Sequence, residues 1–437
     1  MGKMKIVPFI LLFIIAIAGA ALNYNYSRVS GGPINSGDVA WMLTATGLVL
    51  LMTPGLSYFY GGMVSTKNII STMLQSFIAM GLISIVWVVV GFSLAFGDSI
   101  GGVIGNPVTY FMFRGVNGET HPLLAPTFPL LLFAMFQLKF AIITPALITG
   151  SFAERVRFSS YMLFIILFSI FIYAPLAHMT WHPDGFLRKM GVLDFAGGTV
   201  VHMSAGLAAL AGALSFGRRH SHLAKERSLP ANIPYVLLGT GLLWFGWFGF
   251  NAGSAMAANG LAALAFATTN TASASAALCW IFFDLMIGRK PTALGACIGA
   301  VVGLVAITPA AGYVSVGASI FIGAVASLIS NLAVTWKSKT TLDDTLDVFP
   351  CHGLGGMVGM LLTAVFAKDV GLINGKTETF FAHLIALAFV TVFAFGGSYL
   401  LYKITDKIIP LRVTKEDEIE GLDISQHGES IYSRIPN

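Results

Sequence analysis

The sequence predicts an all-α polytopic membrane protein, and three observations support this fold class. Of the 437 residues, 56% are hydrophobic and 10% are charged, whereas a soluble globular protein carries about a quarter charged residues. The mean hydropathy is +0.80. Eleven apolar segments near the length of a membrane span follow one another along the chain. The net charge of +5 is scattered over loops, so we expect a lipid bilayer and no nucleic acid as partner.

The amino terminus has the layout of a secretory signal peptide. Lys3 and Lys5 precede an apolar run that ends in the small residues AGAA. We therefore predict a cleavable signal peptide over residues 1–22, with an uncleaved first helix as the alternative. The transmembrane domain then covers residues 23–402, and residues 403–437 form a polar tail.

The apolar segments define eleven predicted transmembrane helices. Several contain proline, which membrane helices tolerate when neighbours satisfy the freed backbone groups. The three cysteines show no metal-ligand spacing, and we expect neither a metal nor a cofactor. In chain order, the predicted spans are 39–63, 69–96, 124–153, 159–180, 195–216, 233–256, 260–287, 291–309, 313–335, 347–367 and 379–402.

Lysine and arginine are divided unevenly between alternate loops, which predicts the orientation. The poorer set has six basic residues, including Arg28 before the first span. The richer set is placed in the cytoplasm. We therefore expect the protein in the inner (cytoplasmic) membrane, with the mature amino terminus on the outer side and the tail in the cytoplasm. The richer set has eleven: Lys67, Arg155, Arg157, Arg218, Arg219, Lys225, Arg227, Arg289, Lys290, Lys337 and Lys339.

Two stretches 150 residues apart share one pattern. In DFAGGTVVHMSAG (194–206) and DTLDVFPCHGLGG (344–356), an aspartate precedes a histidine by eight residues and a glycine follows it by four. These histidines, His202 and His352, fall in the fifth and tenth predicted spans. An ionisable side chain in a membrane span is costly and usually faces a pathway. The matched placement predicts two inverted five-helix repeats plus one extra helix, with the site between the repeats.

Six segments, in order over nearly the whole chain after residue 38, resemble the ammonium transporter family, which includes methylammonium permeases and the more distant Rhesus proteins. The resemblance implies a bacterial-type transporter of ammonium or ammonia, with methylammonium as a further candidate, and not an enzyme. It also implies a homotrimer with one pore per subunit. In chain order, the segments are 52–68, 143–158, DFAGGTVVHMSAGLAALAGALSFGRR from residue 194, 244–255, 347–356 and EGLDISQHGE (420–429).

The resemblance further implies a mouth built from aromatic rings. It places recruitment of the cation at Trp181, Phe140 and Phe250, with Ser254 as hydrogen-bond acceptor. A cation over an aromatic ring gains about 0.5–2 kcal/mol. Phe140 and Phe250 are expected to stack as an outer gate.

Below that gate, His202 and His352 are expected to line an apolar pore. Burying a bare cation in a low dielectric is very costly, so ammonium would lose its proton and cross as ammonia. Two imidazoles that share a hydrogen bond present both a donor and an acceptor. Histidines that only pack, and a metal site without a third ligand, are the alternatives.

Two aspartates are expected to support the site. By helical period, Asp194 lies two turns before His202 on the same face, and the resemblance implies that it orients the mouth from behind. Asp344 is its counterpart, and capping of a helix by Asp344 or Asp347 is the alternative. Lys139 departs from the family pattern, because family members usually have an apolar residue at this position. A lysine in the mouth would repel a cation, so Lys139 is expected at a subunit interface or beside a carboxylate.

The tail is expected to regulate transport. The resemblance implies that it couples neighbouring subunits and that a PII-type signal protein binds the cytoplasmic face. Its acidic stretch 416–420 is expected to approach the basic loop 218–227 through weak, reversible pairs. Two other functions stay open, which are an ammonium sensor of the same fold and a Rhesus-like amine or gas channel. The short tail disfavours the sensor, and Trp181 with the tail motif disfavours the channel.

Overall fold

The structure is a computed structural model that describes residues 2–21, 31–226 and 229–431. Residues 1 and 22 of the predicted signal peptide, Arg28, Arg227 and the end of the tail (432–437) lie outside the described residues. Helix α1 spans Gly2–Ala21, and most of its apolar side chains from Ile6 onward are exposed. Cleavage of the signal peptide stays a prediction.

Helices make up most of the chain. After α1, the helices in the part of the chain that holds the first five predicted spans are α2 Ser36–Met63, α3 Ile69–Val86, α4 Phe92–Phe96, α5 Leu130–Phe152, α6 Phe158–Phe168, α7 Ala174–Trp181, α8 Phe186–Lys189, α9 Ser204–Phe216 and α10 His220–Leu223, of which α8 and α10 are short helices in the connecting loops. The later ones are α11 Ile233–Gly253, α12 Gly260–Met286, α13 Ala293–Ile307, α14 Val316–Lys337, α15 Gly355–Phe366, α16 Glu378–Ile408 and α17 Lys415–Glu420.

Wider, π-helical turns extend several of these helices. One joins α3 to α4 and one joins α6 to α7, while others begin the spans that continue as α9 and α15. Such turns are rare and occur frequently at functional sites. They are Trp87–Gly91, Ser169–Tyr173, Gly198–Met203, Phe349–Leu354 and, in the tail, Asp423–His427; short 3₁₀ turns lie at Phe111–Phe113 and Leu372–Asn374.

Two small antiparallel sheets interrupt the all-α plan between α4 and α5. Strand β1 (Ser99–Ile100) pairs with β2 (Ile104–Gly105), and β3 (Thr120–His121) pairs with β4 (Ala125–Pro129). The sequence prediction omitted them, because strands of two to five residues do not give a readable alternating pattern. Residues 125–129 are extended, so the third span begins at Leu130 and not at the predicted residue 124.

Nine helical spans of the described ranges are long and apolar enough to cross a membrane. The protein is therefore a multi-pass membrane protein. Helices α12 and α13 lie where the seventh and eighth spans were predicted, but α12 contains the polar run 268–275 and α13 has only 15 residues. The count of eleven spans and the inverted repeats stay predictions.

The two histidine-bearing helices cross at glycines. A Cβ atom added at Gly206 would overlap the backbone N and Cα of Gly353. One added at Gly356 would lie 3.1 Å from the Gly198 oxygen and 3.2 Å from His202 Cβ. Small residues allow helix backbones to approach this closely. The glycine that follows each histidine by four residues therefore lies at the crossing of the two helices.

The tail folds back onto the rest of the chain. The Asp423 carboxylate accepts hydrogen bonds from the N–H groups of Ile70 and Ser71 at 3.1 and 2.8 Å, at the start of α3. The Asn68 side chain accepts from the Leu422 N–H at 2.8 Å. Lys67 Nζ donates to the Ile419 carbonyl at 2.5 Å. The tail is therefore a docked segment of the protein.

The acidic stretch of the tail meets the basic loop differently from the prediction. Glu418 pairs with Arg412 of the tail at 2.6 Å and accepts from the His220 backbone N–H at 2.6 Å. Arg219 does not pair with residues 416–420, because its guanidinium is held by Glu154 and Asp343 at 2.6 and 2.9 Å.

Candidate functional site

A cavity of about 590 Å³ opens beside α5 and α7. We call it the wide cavity. The predicted mouth residues Phe140, Trp181, Ser254 and Asp194 all contribute to its wall, together with Gln137 and Arg188. The structure therefore brings together residues from four separate parts of the sequence, beside the amino-terminal half of α5.

Two stacked phenylalanines form the floor of the wide cavity. The rings of Phe140 and Phe250 are both buried, and their centroids lie 4.1 Å apart with an interplanar angle of 29°. The Trp181 ring meets Phe140 edge-on at 5.9 Å, and its Nε1 donates to the Asp194 carbonyl at 3.1 Å. In this conformation the two phenylalanines separate the wide cavity from His202, whose ring lies 6.1 Å beyond Phe250.

The two histidines meet directly behind that floor. His202 Nδ1 and His352 Nδ1 are 3.3 Å apart, and both side chains are buried. One of the facing nitrogens must carry the hydrogen and the other must accept it, since each neutral imidazole has one of each. His202 Nε2 is buried and has no hydrogen-bond partner among the described residues. The pair therefore has an unused polar atom in an otherwise apolar setting.

Trp247 completes the histidine pair, and sequence reasoning missed it. Its ring stacks on His202 with centroids 5.3 Å apart at 19°, and its Nε1 donates to Thr308 Oγ1 at 2.9 Å. The available signal was its position three residues before Phe250 on one helix, because such residues share a face. On the far side of His352 a narrow cavity of about 10 Å³ is lined by Tyr60, Cys351 and apolar side chains.

Asp194 lies before the helix that carries His202, so the prediction that the two share a helical face is wrong. Gly197 has a left-handed φ of 119°, which breaks the helix between them. The Asp194 carboxylate accepts from the N–H groups of Gly197, Gly198 and Thr199 at 2.8, 2.6 and 2.8 Å. It therefore caps the amino terminus of the histidine helix, where three backbone donors would otherwise be unpaired.

Asp344 caps the second histidine helix with one backbone hydrogen bond, whereas Asp194 accepts three. The Asp344 carboxylate accepts from the Phe349 N–H at 2.8 Å, and Asp347, with a left-handed φ of 58°, pairs with Lys337 at 2.6 Å. Of the two readings for Asp344, capping is the one that the geometry supports. Each aspartate that precedes its histidine by eight residues thus holds the first turn of that histidine's helix.

Lys139 and Ser254 take up positions that bear on cation binding. Lys139 is 8% exposed, is not part of the wall of the wide cavity, and has no hydrogen-bond or ion-pair partner within residues 2–21, 31–226 and 229–431. The predicted pairing with a carboxylate is therefore absent within this part of the chain, and a subunit contact stays a prediction. Ser254 Oγ donates to the Phe250 carbonyl at 2.8 Å, which leaves its lone pairs available to a donor.

A network of buried charges lies at the opposite end of α5, under the docked tail. Burial alone would raise the pKa of Asp343, but hydrogen bonds from Arg219 and the charge of Arg155 hold the pKa at about 2. Burial likewise opposes ionisation of Glu154, yet Arg219 and the Ser65 N–H lower its pKa. These groups join the loops after α5, α9 and α14. Nowhere in the described chain are three or more His, Cys, Asp or Glu side chains placed to hold a metal ion.

Comparisons with known proteins agree on one family. The profile of the Ammonium Transporter Family matches residues 40–432. A putative ammonium transporter of Methanothermobacter thermautotrophicus is 46% identical over 409 residues, covering 91% of this chain and 99% of its own length. An ammonium transporter of Aquifex aeolicus is 46% identical over 417 residues, covering 94% and 96%.

Solved structures of the same fold have lower identity. Mep2 of Candida albicans superposes with a TM-score of 0.84 at 34% identity, covering 91% of this chain and 90% of its own. A sensor Amt protein superposes with a TM-score of 0.82 at 30% identity, covering 90% and 98%.

Proposed function

Because the chain belongs to the ammonium transporter family, we propose that it moves ammonium across the cytoplasmic membrane through the wide cavity, the histidine pair and the narrow cavity. Methylammonium is a second candidate substrate. The observation that carries the proposal is the buried pair of His202 and His352, with Nδ1 atoms 3.3 Å apart, between two cavities.

Recruitment takes place in the wide cavity. Trp181 and Phe140 present aromatic rings to it, and a cation over such a ring gains about 0.5–2 kcal/mol. Ser254 offers a hydroxyl oxygen whose own hydrogen is already donated to Phe250. The carboxylate of Asp194 lies behind Trp181 and acts through the backbone, because it is saturated by the donors that it caps.

Passage beyond the floor favours the neutral molecule. Phe140, Phe250 and Trp247 surround the entrance to His202 with apolar surface, and the described chain places no carboxylate against the imidazoles. A bare cation would lose its hydration there at high cost, whereas ammonia would not. The imidazole pair then offers a donor and an acceptor, to ammonia or to a proton, along one path.

The test is flux in liposomes that contain the purified protein, with the current and the internal pH recorded together. Replacing both His202 and His352 by alanine, and separately by aspartate, is expected to abolish electrogenic ammonium flux or to admit potassium. The single His202 and His352 variants serve as intermediate controls. Unchanged flux and unchanged discrimination against potassium in the double variants would remove the pair from the mechanism.

The assembly and the orientation belong to the same proposal. We place the mature amino terminus outside and the tail in the cytoplasm, from the excess of basic residues in alternate loops. The working unit is a homotrimer, and a PII-type protein binds the cytoplasmic face. The docking of Leu422 and Asp423 against the start of α3 supports a regulatory tail, because it fixes the tail against a membrane-spanning helix through specific hydrogen bonds.

Sensing is the second candidate function. It is favoured by the likeness to the sensor Amt protein, over 90% of this chain. The liposome experiment separates the two functions, since a sensor binds ammonium without moving it down a gradient.

A further inference from the structure

Gln137 lies in the wall of the wide cavity and takes no part in the site described so far. It is three residues before Phe140 on α5, and both residues line the cavity. Its side chain is 5% exposed. The Oε1 atom is buried and has no hydrogen-bond partner among residues 2–21, 31–226 and 229–431.

The carboxamide oxygen of Gln137 is therefore buried without a partner in the described part of the chain. Most buried polar atoms have a hydrogen-bond partner, and an amide buried without one destabilises the fold. A glutamine whose only role was packing could be replaced by methionine or leucine, which fill similar space without that cost. The terminal torsion of glutamine is broad and roughly two-fold, so the amide can turn its oxygen toward the cavity. Gln137 therefore has the properties of a group that is completed by a ligand.

The position of Gln137 selects the ligand. Residues three apart on a helix are neighbours, and side chains tilt toward the amino terminus of their helix. The carboxamide therefore lies one turn from Phe140, on the side away from the stacked floor. A cation resting on Phe140 and Trp181 would lie between this amide and the Ser254 hydroxyl, since all four residues line one cavity.

We propose that the carboxamide oxygen of Gln137 is a second hydrogen-bond acceptor for ammonium in the wide cavity, beside Ser254. Ammonium carries four N–H donors, and the aromatic rings supply no oxygen to accept them. Two oxygens and two rings would engage more of its surface than the rings and one hydroxyl. Gln137 then discriminates ammonium from quaternary ammonium ions, which have no N–H donor. The inference deepens the proposed transport function and rests on it for the identity of the substrate.

The experiment compares Gln137→Met with Gln137→Glu in liposomes. Methionine keeps the length of the side chain and removes the acceptor, whereas glutamate keeps an acceptor. Two quantities are measured, which are the half-saturating concentration of ammonium and the inhibition constant of tetramethylammonium, which has no N–H donor. We expect Q137M to raise the first about tenfold, which corresponds to about 1.4 kcal/mol, and to leave the second unchanged. We expect Q137E to bind ammonium at least as tightly as the wild type.

Three outcomes would overturn the assignment. They are an unchanged half-saturating concentration in Q137M, an equal weakening of ammonium and tetramethylammonium, and a Q137E variant as impaired as Q137M. The same variants are assayed for thermal stabilisation by ammonium in detergent. A wild-type protein that is stabilised by ammonium through Gln137 but moves none would contradict the proposed function and not this inference.

Discussion

Alanine at Gly206 should separate the two imidazoles through backbone contacts, because its added Cβ atom would meet the backbone of Gly353 and His352. Gly206 lies one turn beyond His202, and an added Cβ atom would overlap the backbone of Gly353, the residue after His352. Backbone atoms cannot turn away as a flexible side chain can. The helices must therefore move apart at the point where the imidazoles meet.

The size of the movement follows from the contact distances. Reaching ordinary van der Waals contact, at 3.4 Å or more, requires the backbones to separate by roughly 1 Å. The Nδ1 atoms of His202 and His352 are 3.3 Å apart, near the upper limit of a hydrogen bond. The same separation would break that bond, and overpacking of a well-packed core costs about 1–3 kcal/mol.

The assay combines thermal unfolding in detergent with ammonium flux in liposomes. Gly206→Ala should lower the unfolding midpoint and abolish electrogenic flux. Gly356→Ala should have a milder effect on both, because its Cβ atom would lie 3.1–3.2 Å from its neighbours. Gly241→Ala on α11 is the matched control, since nothing lies within 4 Å of its added Cβ atom. Wild-type flux and stability in G206A would refute the argument that this glycine sets the distance between the imidazoles.

Three further predictions concern the mouth, the tail and the buried charges. Trp181→Leu should raise the half-saturating ammonium concentration about two- to thirtyfold, the range expected for a lost cation–π contact, while elution of the variant as an aggregate would assign Trp181 to packing. Truncation after Arg412 should change flux in liposomes or its inhibition by a PII-type protein, and no change in either would exclude regulation by the tail. The pKa of Asp343, about 2, lies below its ordinary value of 3.8, so its stabilising contribution is present above about pH 4 and is lost as the pH falls toward 2. Asp343→Asn should lower the unfolding midpoint at pH 7, by an amount that corresponds to about 3–5 kcal/mol for a broken buried pair, and should flatten its fall between pH 4 and 2; equal acid profiles for the two proteins would contradict this.

Hydropathy and matched spacing predicted the parts of this fold that depend on composition. The long spans follow from apolar length, and His202 and His352 stand out because ionisable residues are costly in a membrane. Asp194 was misplaced for a local reason. Helical periodicity assumes an unbroken helix, and the left-handed Gly197 breaks it. The left-handed φ angle of Gly197 cannot be predicted from the sequence GGT alone.

Other features depend on contacts between distant segments, which periodicity does not contain. The sequence does not distinguish Trp247 from the other aromatic residues, because its stacking on His202 depends on the fold. The sequence shows Gln137 only as a polar residue in an apolar helix, and the lack of a partner for its oxygen among the described residues is visible only in the structure. The expected pairing of the acidic tail with Arg219 failed because Glu154 and Asp343, from two other loops, already hold that guanidinium.

The docked tail has a mechanical consequence. Helix α16 follows the second predicted five-helix half, yet the tail after it is hydrogen-bonded to the start of α3, to Arg157 before α6 and to His220 of α10. The tail therefore connects the helix that follows the second predicted half to residues of the first predicted half. His202 belongs to the first predicted half and His352 to the second. Motion of one predicted half against the other would either break these hydrogen bonds or move α16 as well, so we expect a partner that displaces the tail to allow relative motion of the two imidazoles.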